Sequence, residues 1–252
     1  MAVAGEPIRV VVAGADGRMG RETVRAVAAE TDMIVAGKAH RGDDLGTVLR
    51  DANADVLVDF TVPESVMANL RTALAARVIP IVGTTGLSPE NLDEIHGLCE
   101  ENGIGALIAP NFAIGAVLLM QFAQTAAKYL PDVEIIEMHH ERKLDAPSGT
   151  AVKTAALIAA VRDAALVKGD LPGAFETFPG SRGGRAEGNI PVHSIRLPGF
   201  VASQEVIFGG PGQRLSLRHD SIDRASFMPG VVLAIRKATS LSGLVYGLEN
   251  LL

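Results

Sequence analysis

Short aliphatic, β-branched runs recur through the first 112 residues: "IRVVVAG" at 8–14, "MIVAGKA" at 33–39, "DVLVDFT" at 55–61, "VIPIVGTTG" at 78–86 and "IGALIAPNF" at 104–112. Helical spacing separates most of them, over residues 17–30, in "PESVMANLRTALAAR" and in "SPENLDEIHGLCEENG". Near-continuous apolar strands alternating with helices leave one economical solution, a parallel sheet covered by helices on both faces. In such sheets ligands bind beyond the carboxyl ends of the strands. Gly14, Thr61, Gly83-Thr84-Thr85 and Pro110-Asn111-Phe112 all fall there.

The pattern changes after Asn111. A helix over about 114–129 leads to the strand "VEIIEMHH", then "ERKLDAPSGTA" and a helix expected over 147–161. A glycine- and arginine-rich loop, "PGSRGGRAEGN", precedes "IPVHSIRLPG", "VASQEVIFG" and "QRLSLRHD", three strand-like segments separated by Pro-Gly or Gly-Pro turns. This predicts an α+β second domain with an antiparallel or mixed sheet. The final thirty residues return to helix and are expected to pack on the first domain. The division is therefore a Rossmann-like, doubly wound α/β domain of residues 1–111 and 221–252, and a second domain of residues 112–220.

At 252 residues the chain is long enough for one or two domains with real cores. Its net charge of −6 provides no global basic field for nucleic acid or acidic membranes, so an anionic ligand needs a local cluster of cations. A lone cysteine, Cys99, cannot form an intramolecular disulfide and fits a reducing compartment. The opening residues lack the pattern of a signal peptide. Residues 104–127 carry no charge, but Pro110-Asn111 interrupts them, so they read as a buried strand, a turn and a core helix rather than a membrane span. A soluble, cytoplasmic protein is expected.

"VVVAGADGRMGRE" places Gly14, Gly17 and Gly20 between a strand and a helix. Such a turn lets backbone approach a pyrophosphate, whose charge then sits on the helix N-terminus. The spacing is G-x-x-G-x-x-G, with Asp16 where the commoner fingerprint has its second glycine. At the end of the second strand, NAD-specific sites place an acid for the ribose. Here "GKAHRGDD" presents Lys38, His40 and Arg41 first, cations that suit a 2′-phosphate. Asp43 and Asp44 reach a ribose only if the loop folds back.

"HHERKLDAPSGTA" (139–151) concentrates the remaining chemistry. His139 and His140 lie on opposite sides of a strand, and Lys143 lies in the loop beyond. Imidazolium or ammonium donates a proton, and the Pro147-Ser148-Gly149-Thr150 helix start attracts an anion. A metal site on the histidine pair with Glu137 and Glu141 lacks further ligands at suitable spacing, so no metal is expected. A charged surface turn is the other reading of these residues. Chemistry and spacing thus reach a nucleotide-dependent reductase of a small anionic substrate.

The motifs "VAGADGRMG", "DVLVDFTVPE", "VGTTG", "APNFAIG", "EIIEMHHERKLDAPSGTA", "HSIRLPG" and "QEVIFGG", in that order, resemble the bacterial dihydrodipicolinate reductase family of lysine and diaminopimelate biosynthesis. The resemblance covers essentially the whole chain. It implies reduction of a cyclic dicarboxylate by NADPH, NADH or both, with loss of water. His139 would be the proton donor and acceptor and Lys143 the second proton donor, with His140, Gly149 and Thr150 binding substrate. Gly14, Ala15, Asp16, Gly17, Arg18 and Met19 would cradle the pyrophosphate, and Arg41 would lie near the adenosine ribose. Gly83, Thr84, Thr85, Ala109, Pro110, Asn111 and Phe112 would line the nicotinamide side. The chain departs from many members at His40, where an acid is common. The family also implies a homotetramer assembled through the second domain's sheet, and domain closure that excludes water. Arg182 and Arg185 lie in a loop that would cover the substrate. Aspartate dehydrogenase-like and homoserine dehydrogenase-like reductases lack the long signature, and a nucleotide sensor would not need both His139 and Lys143.

Overall fold

The computed structural model describes residues 5–163 and 172–252 and divides the chain into two compact units, Met1–Ile114 with Arg224–Leu252, and Gly115–Asp223. The first four residues of the opening segment, judged above for a leader, lie outside the described residues.

In the first unit, β1 (Ile8–Ala13), β2 (Met33–Ala39), β3 (Val56–Asp59), β4 (Ile79–Val82) and β5 (Ala106–Ile108) form a parallel sheet with β11 (Leu244–Tyr246), in the order β11-β5-β4-β3-β1-β2. Val10, Val11, Val12, Leu57 and Val58 are wholly buried because both sheet faces are covered, which is why these strands read as unbroken apolar runs. The helices are α1 (Arg18–Ala29), α2 (Leu45–Asp51), α3 (Pro63–Ala75), α4 (Pro89–Asn102) and, after the second unit, α7 (Met228–Lys237). Strand order reverses between β1 and β3, and loops diverging there open a crevice at the carboxyl ends.

The second unit contains α5 (Ile114–Ala127, from its second residue), β6 (Asp132–His139), α6 (Gly149–Ala159), β7 (Gly184–Ala186), β8 (Ile190–Arg196), β9 (Ala202–Gly210) and β10 (Gln213–Ser221). Its sheet order is β10-β9-β6-β8-β7. Leu119 and Ala123 of α5 and Ala155 and Ile158 of α6 bury Val133 and Ile135 of β6, with Val206 and Phe208 of β9.

Several expectations are refined. Of the two sheet types expected, the mixed one is present: β8 runs parallel to β6, which separates it from β9. The Leu197–Phe200 turn is therefore a crossover between strands that are not neighbours. The glycine-rich loop carries the short strand β7. The last thirty residues are not all helix, since β11 completes the first sheet beside β5. Helix α6 starts after Pro147 rather than at it. Ser148 is its N-cap, accepting from the Ala151 N–H at 3.3 Å. Helix α2 was not legible: seven residues with an internal glycine and two β-branched residues have weak propensity, and burial of Leu45 and Leu49 at i,i+4 supplies the reason for it. Residues 104–127 are indeed strand, turn and helix. No helix among the described residues is long and apolar enough to cross a membrane.

Candidate active site

The first-unit crevice has a volume of about 720 Å³ and is lined by the glycine turn after β1, the 40–43 loop after β2 and the 60–69 region after β3. Gly14 stands at φ +74°, and a Cβ there would lie 2.7 Å from the Phe60 carbonyl oxygen. Gly17 donates its N–H to the Gly14 carbonyl at 2.9 Å and is the N-cap of α1 with no side-chain cap. A Cβ on Gly20 would sit 2.1 Å from the Gly14 oxygen. The first turn of α1 carries no acidic residue. Only glycine allows this close approach, and uncapped backbone N–H groups at a positive helix end fit a pyrophosphate.

Gly14, Asp16, Gly17, His40 and Arg41 all line the crevice, whereas Ala15, Arg18, Met19 and Lys38 do not. Lys38 is exposed on β2, one residue before the buried Ala39, and strand alternation turns it away from its neighbours' face. The sequence placed it with Arg41 because it saw only proximity along the chain. Asp16, the glycine-position acid, pairs with His40 at 2.6 Å (Oδ2 to Nδ1), so its charge meets a partner rather than only the turn. The loop does fold back: Asp43 accepts from the His40 N–H at 2.8 Å and lines the crevice.

Phe60, unassigned from sequence, joins this crevice to the expected nicotinamide side. Its ring meets Phe112 edge-on at 5.7 Å, and a Cβ on Gly83 would collide with it at 2.0 Å. Asp59, wholly buried at the end of β3, holds these loops together. Its Oδ1 accepts from the Thr61 N–H (2.8 Å), the Thr61 hydroxyl (2.7 Å) and the Thr84 hydroxyl (3.0 Å), and its Oδ2 accepts from Asn69 (2.7 Å). Thr85 follows in the same loop. Ala109 donates to the Val82 carbonyl at 2.9 Å, and the Asn111 side chain accepts from the Ala113 N–H at 2.9 Å, fixing the Pro110 turn.

The second unit brings together a different set. Glu137 and His139 alternate on one face of β6, and the His139 Nδ1 lies 2.5 Å from Glu137 Oε2. Arg196 of β8, the register partner of His139, grips Glu137 with two bonds of 2.7 and 2.9 Å. It also donates to the Asp145 carbonyl at 2.7 Å. The Asp145 carboxylate in turn pairs with Lys143 at 2.7 and 2.9 Å. Ser148, capping α6, donates its N–H to Glu137 Oε1 at 3.3 Å. Beyond it Gly149 faces open space, followed by Thr150, and α6 has no acid in its first turn. His140 lies just past the strand end, its carbonyl closing a turn with the Lys143 N–H at 3.1 Å. No cluster of metal ligands exists among the described residues. Arg182 is elsewhere. It pairs with Glu134, which alternation puts on the opposite sheet face from Glu137, while Arg185 donates toward the Asn189 carbonyl.

Burial pushes the Glu137 carboxyl up, but hydrogen bonds from His139, Arg196 and Ser194 outweigh it and hold the group down at about 2. A carboxyl lowered in the folded state adds stability above its unfolded value near 4.5 and loses it as pH falls from there toward 2. That difference is worth roughly 3 kcal/mol. Chemical denaturation between pH 5 and pH 2 should show a loss of stability that is smaller by about this amount in Glu137→Gln. An unchanged loss would mean the ion pair does not persist in solution.

The model for "Dihydrodipicolinate reductase, N-terminus" matches residues 8–112, and that for "Dihydrodipicolinate reductase, C-terminus" matches residues 115–252. The chain is 52% identical to the 4-hydroxy-tetrahydrodipicolinate reductase of Desulfitobacterium hafniense, over 97% of this chain and 98% of that one. It is 49% identical to the enzyme of the same name from Moorella thermoacetica, with 97% and 98% covered. Among solved structures it is similar to a dipicolinate-bound dihydrodipicolinate reductase from Paenisporosarcina sp. TG-14, with a TM-score of 0.88 and 44% identity, covering 98% of this chain and all of that one.

Proposed function

The chain belongs to the dihydrodipicolinate reductase family, and from that premise we propose how its own residues carry the reaction. It is an oxidoreductase of lysine and diaminopimelate biosynthesis that reduces 4-hydroxy-tetrahydrodipicolinate to tetrahydrodipicolinate with loss of water. A nicotinamide cofactor, when bound, supplies the hydride. The glycine turn and the N-terminus of α1 hold its pyrophosphate, and Phe60, Gly83, Thr84, Thr85 and Ala109–Phe112 border its nicotinamide end.

The second unit binds the small cyclic dicarboxylate. Gly149 and Thr150 at the opening of α6 receive one carboxylate, and His140 contributes a further contact. Lys143 donates the proton that the departing hydroxyl takes up as water, and His139, as proton acceptor and donor, removes and returns the proton on the ring carbon beside the one that receives the hydride. The observation that carries this assignment is the single chain of contacts Lys143–Asp145–Arg196–Glu137–His139, which ends on the N-cap of α6. Oxidation of NADPH and, separately, NADH by the purified protein tests it, with substrate generated in situ by a synthase from pyruvate and aspartate semialdehyde. Consumption that depends on the synthase is expected. Cofactor binding without consumption would move the chain to a sensor role.

NADPH and NADH both bind, with NADPH favoured by Arg41. Arg41→Ala should weaken NADPH by about tenfold or more relative to NADH, as expected when a charge-assisted hydrogen bond worth roughly 1.5–3 kcal/mol is lost. Lys38→Ala should change neither, since that side chain does not line the crevice. Equal weakening of both cofactors by Arg41→Ala would mean that the guanidinium does not read the 2′-phosphate.

The protein assembles as a homotetramer through the second sheet. The sheet face turned away from α5 and α6 presents Ile136, Ile195 and Ile207 half-buried, which supports that role. Light scattering giving a monomer mass at micromolar concentration would overturn it.

A further inference from the structure

Glu137 has no contact assigned to substrate, yet it is the most completely enclosed acid among the described residues of the second unit. Its two oxygens face donors, the His139 ring and one Arg196 nitrogen on Oε2 and the other Arg196 nitrogen and the Ser148 N–H on Oε1, with the Ser194 side chain as a further donor. A carboxylate in such a cage accepts and does not donate, so the ring nitrogen facing it must carry hydrogen. Glu137 lies two residues before His139 on the same strand face, on the side where Nδ1, the nitrogen nearer the backbone, can reach it.

We infer that Glu137 is the positioning residue of the site: it fixes His139 as the Nδ1–H tautomer, reserves Nε2 for proton exchange, and ties that ring to the opening of α6. The inference rests on His139 being a proton donor. Rotation of an imidazole about its last torsion is soft, so the ring needs an anchor outside itself. Arg196 makes the anchor one-sided. Its bidentate grip satisfies the carboxylate's charge, so Glu137 orients the ring without taking its proton. Through the Asp145 carbonyl the same guanidinium also holds the loop that carries Lys143. Both proton donors and the anion-binding helix start thus share one buried ion pair as their reference point.

The first test uses the unaltered full-length protein labelled with ¹⁵N. Long-range ¹H–¹⁵N correlations at alkaline pH distinguish the two neutral tautomers, and the peaks that vanish in His139→Gln identify the ring. A spectrum dominated by Nδ1–H is expected, and one dominated by Nε2–H would overturn the inference even if no Glu137 variant folds. The second test is a double-mutant cycle. Glu137→Gln should lower kcat by about 10²-fold, the scale of a misplaced reacting group, with a smaller change in KM for the dicarboxylate. Combined with His139→Gln it should be no slower than His139→Gln alone, because both act through one atom. Losses that multiply would show that Glu137 acts independently and sink the inference. If His139→Gln alone retains full turnover, the proton-donor assignment fails instead, whatever tautomer the spectrum shows.

Discussion

Lys143→Ala is expected to lower turnover by about 10²- to 10⁴-fold, the range for a removed general acid, while NADPH and NADH bind as before. The separation follows from placement. Lys143 belongs to the second unit, where it pairs with Asp145, and the cofactor crevice is built wholly from the first. The Lys143 side chain is only about a quarter exposed. Its partner costs the fold little to lose: hydrogen bonding to Lys143 lowers the Asp145 carboxyl, but that acid is largely open to solvent. Thermal stability should therefore barely move. Steady-state kinetics and calorimetric cofactor titration on the same preparation read both quantities. An equal loss of turnover and cofactor affinity would remove Lys143 from the chemistry.

The second large effect is structural. Gly20→Ala should destabilise the protein by about 3 kcal/mol or more and abolish cofactor binding. Helix propensity alone predicts the reverse, a gain of about 1 kcal/mol for alanine inside a helix. Sterics decide the sign. The new Cβ would stand 2.1 Å from the Gly14 carbonyl oxygen and 2.8 Å from the Ala15 Cα, both backbone atoms of the turn itself. That turn cannot retreat, because Gly14 already backs onto the Phe60 carbonyl. Helix α1 must then lift from β1, taking its N–H groups away from the pyrophosphate. The melting temperature should fall by roughly 6–12 °C for a chain of this size. A variant that melts with the parent and still binds NADPH would show that the turn adapts.

The legible parts of this molecule were those fixed by local pattern. Strands β1 to β6 announce themselves as aliphatic runs, and the glycine turn, the Ser148-capped helix start and the proposed proton donors lie within short motifs. What stayed hidden depends on partners distant in sequence. The three residues of β11 have no readable period and exist as a strand because β5 is there to bond with. The parallel pairing of β6 with β8 is a choice among neighbours that turn residues do not specify. Arg196 sits 59 residues beyond Glu137, with nothing in "HSIRLPG" to mark its guanidinium as the clamp on that acid. Glu137 itself was findable, since E-x-H on a strand puts both side chains on one face. Lys38, grouped with Arg41 by proximity along the chain, does not line the crevice with it.

The two stretches that make up the first unit have a consequence for synthesis. A ribosome releases the 1–114 stretch first, yet its sheet lacks β11 and its helical layer lacks α7 until the final stretch emerges. The second unit is one uninterrupted stretch and can reach its native form while the chain is still growing. The edge of β5 meanwhile waits as an unpaired strand, the kind of surface that recruits wrong partners. Late closure by a distant segment is slow by topology, so the nucleotide-binding half is expected to complete its sheet last.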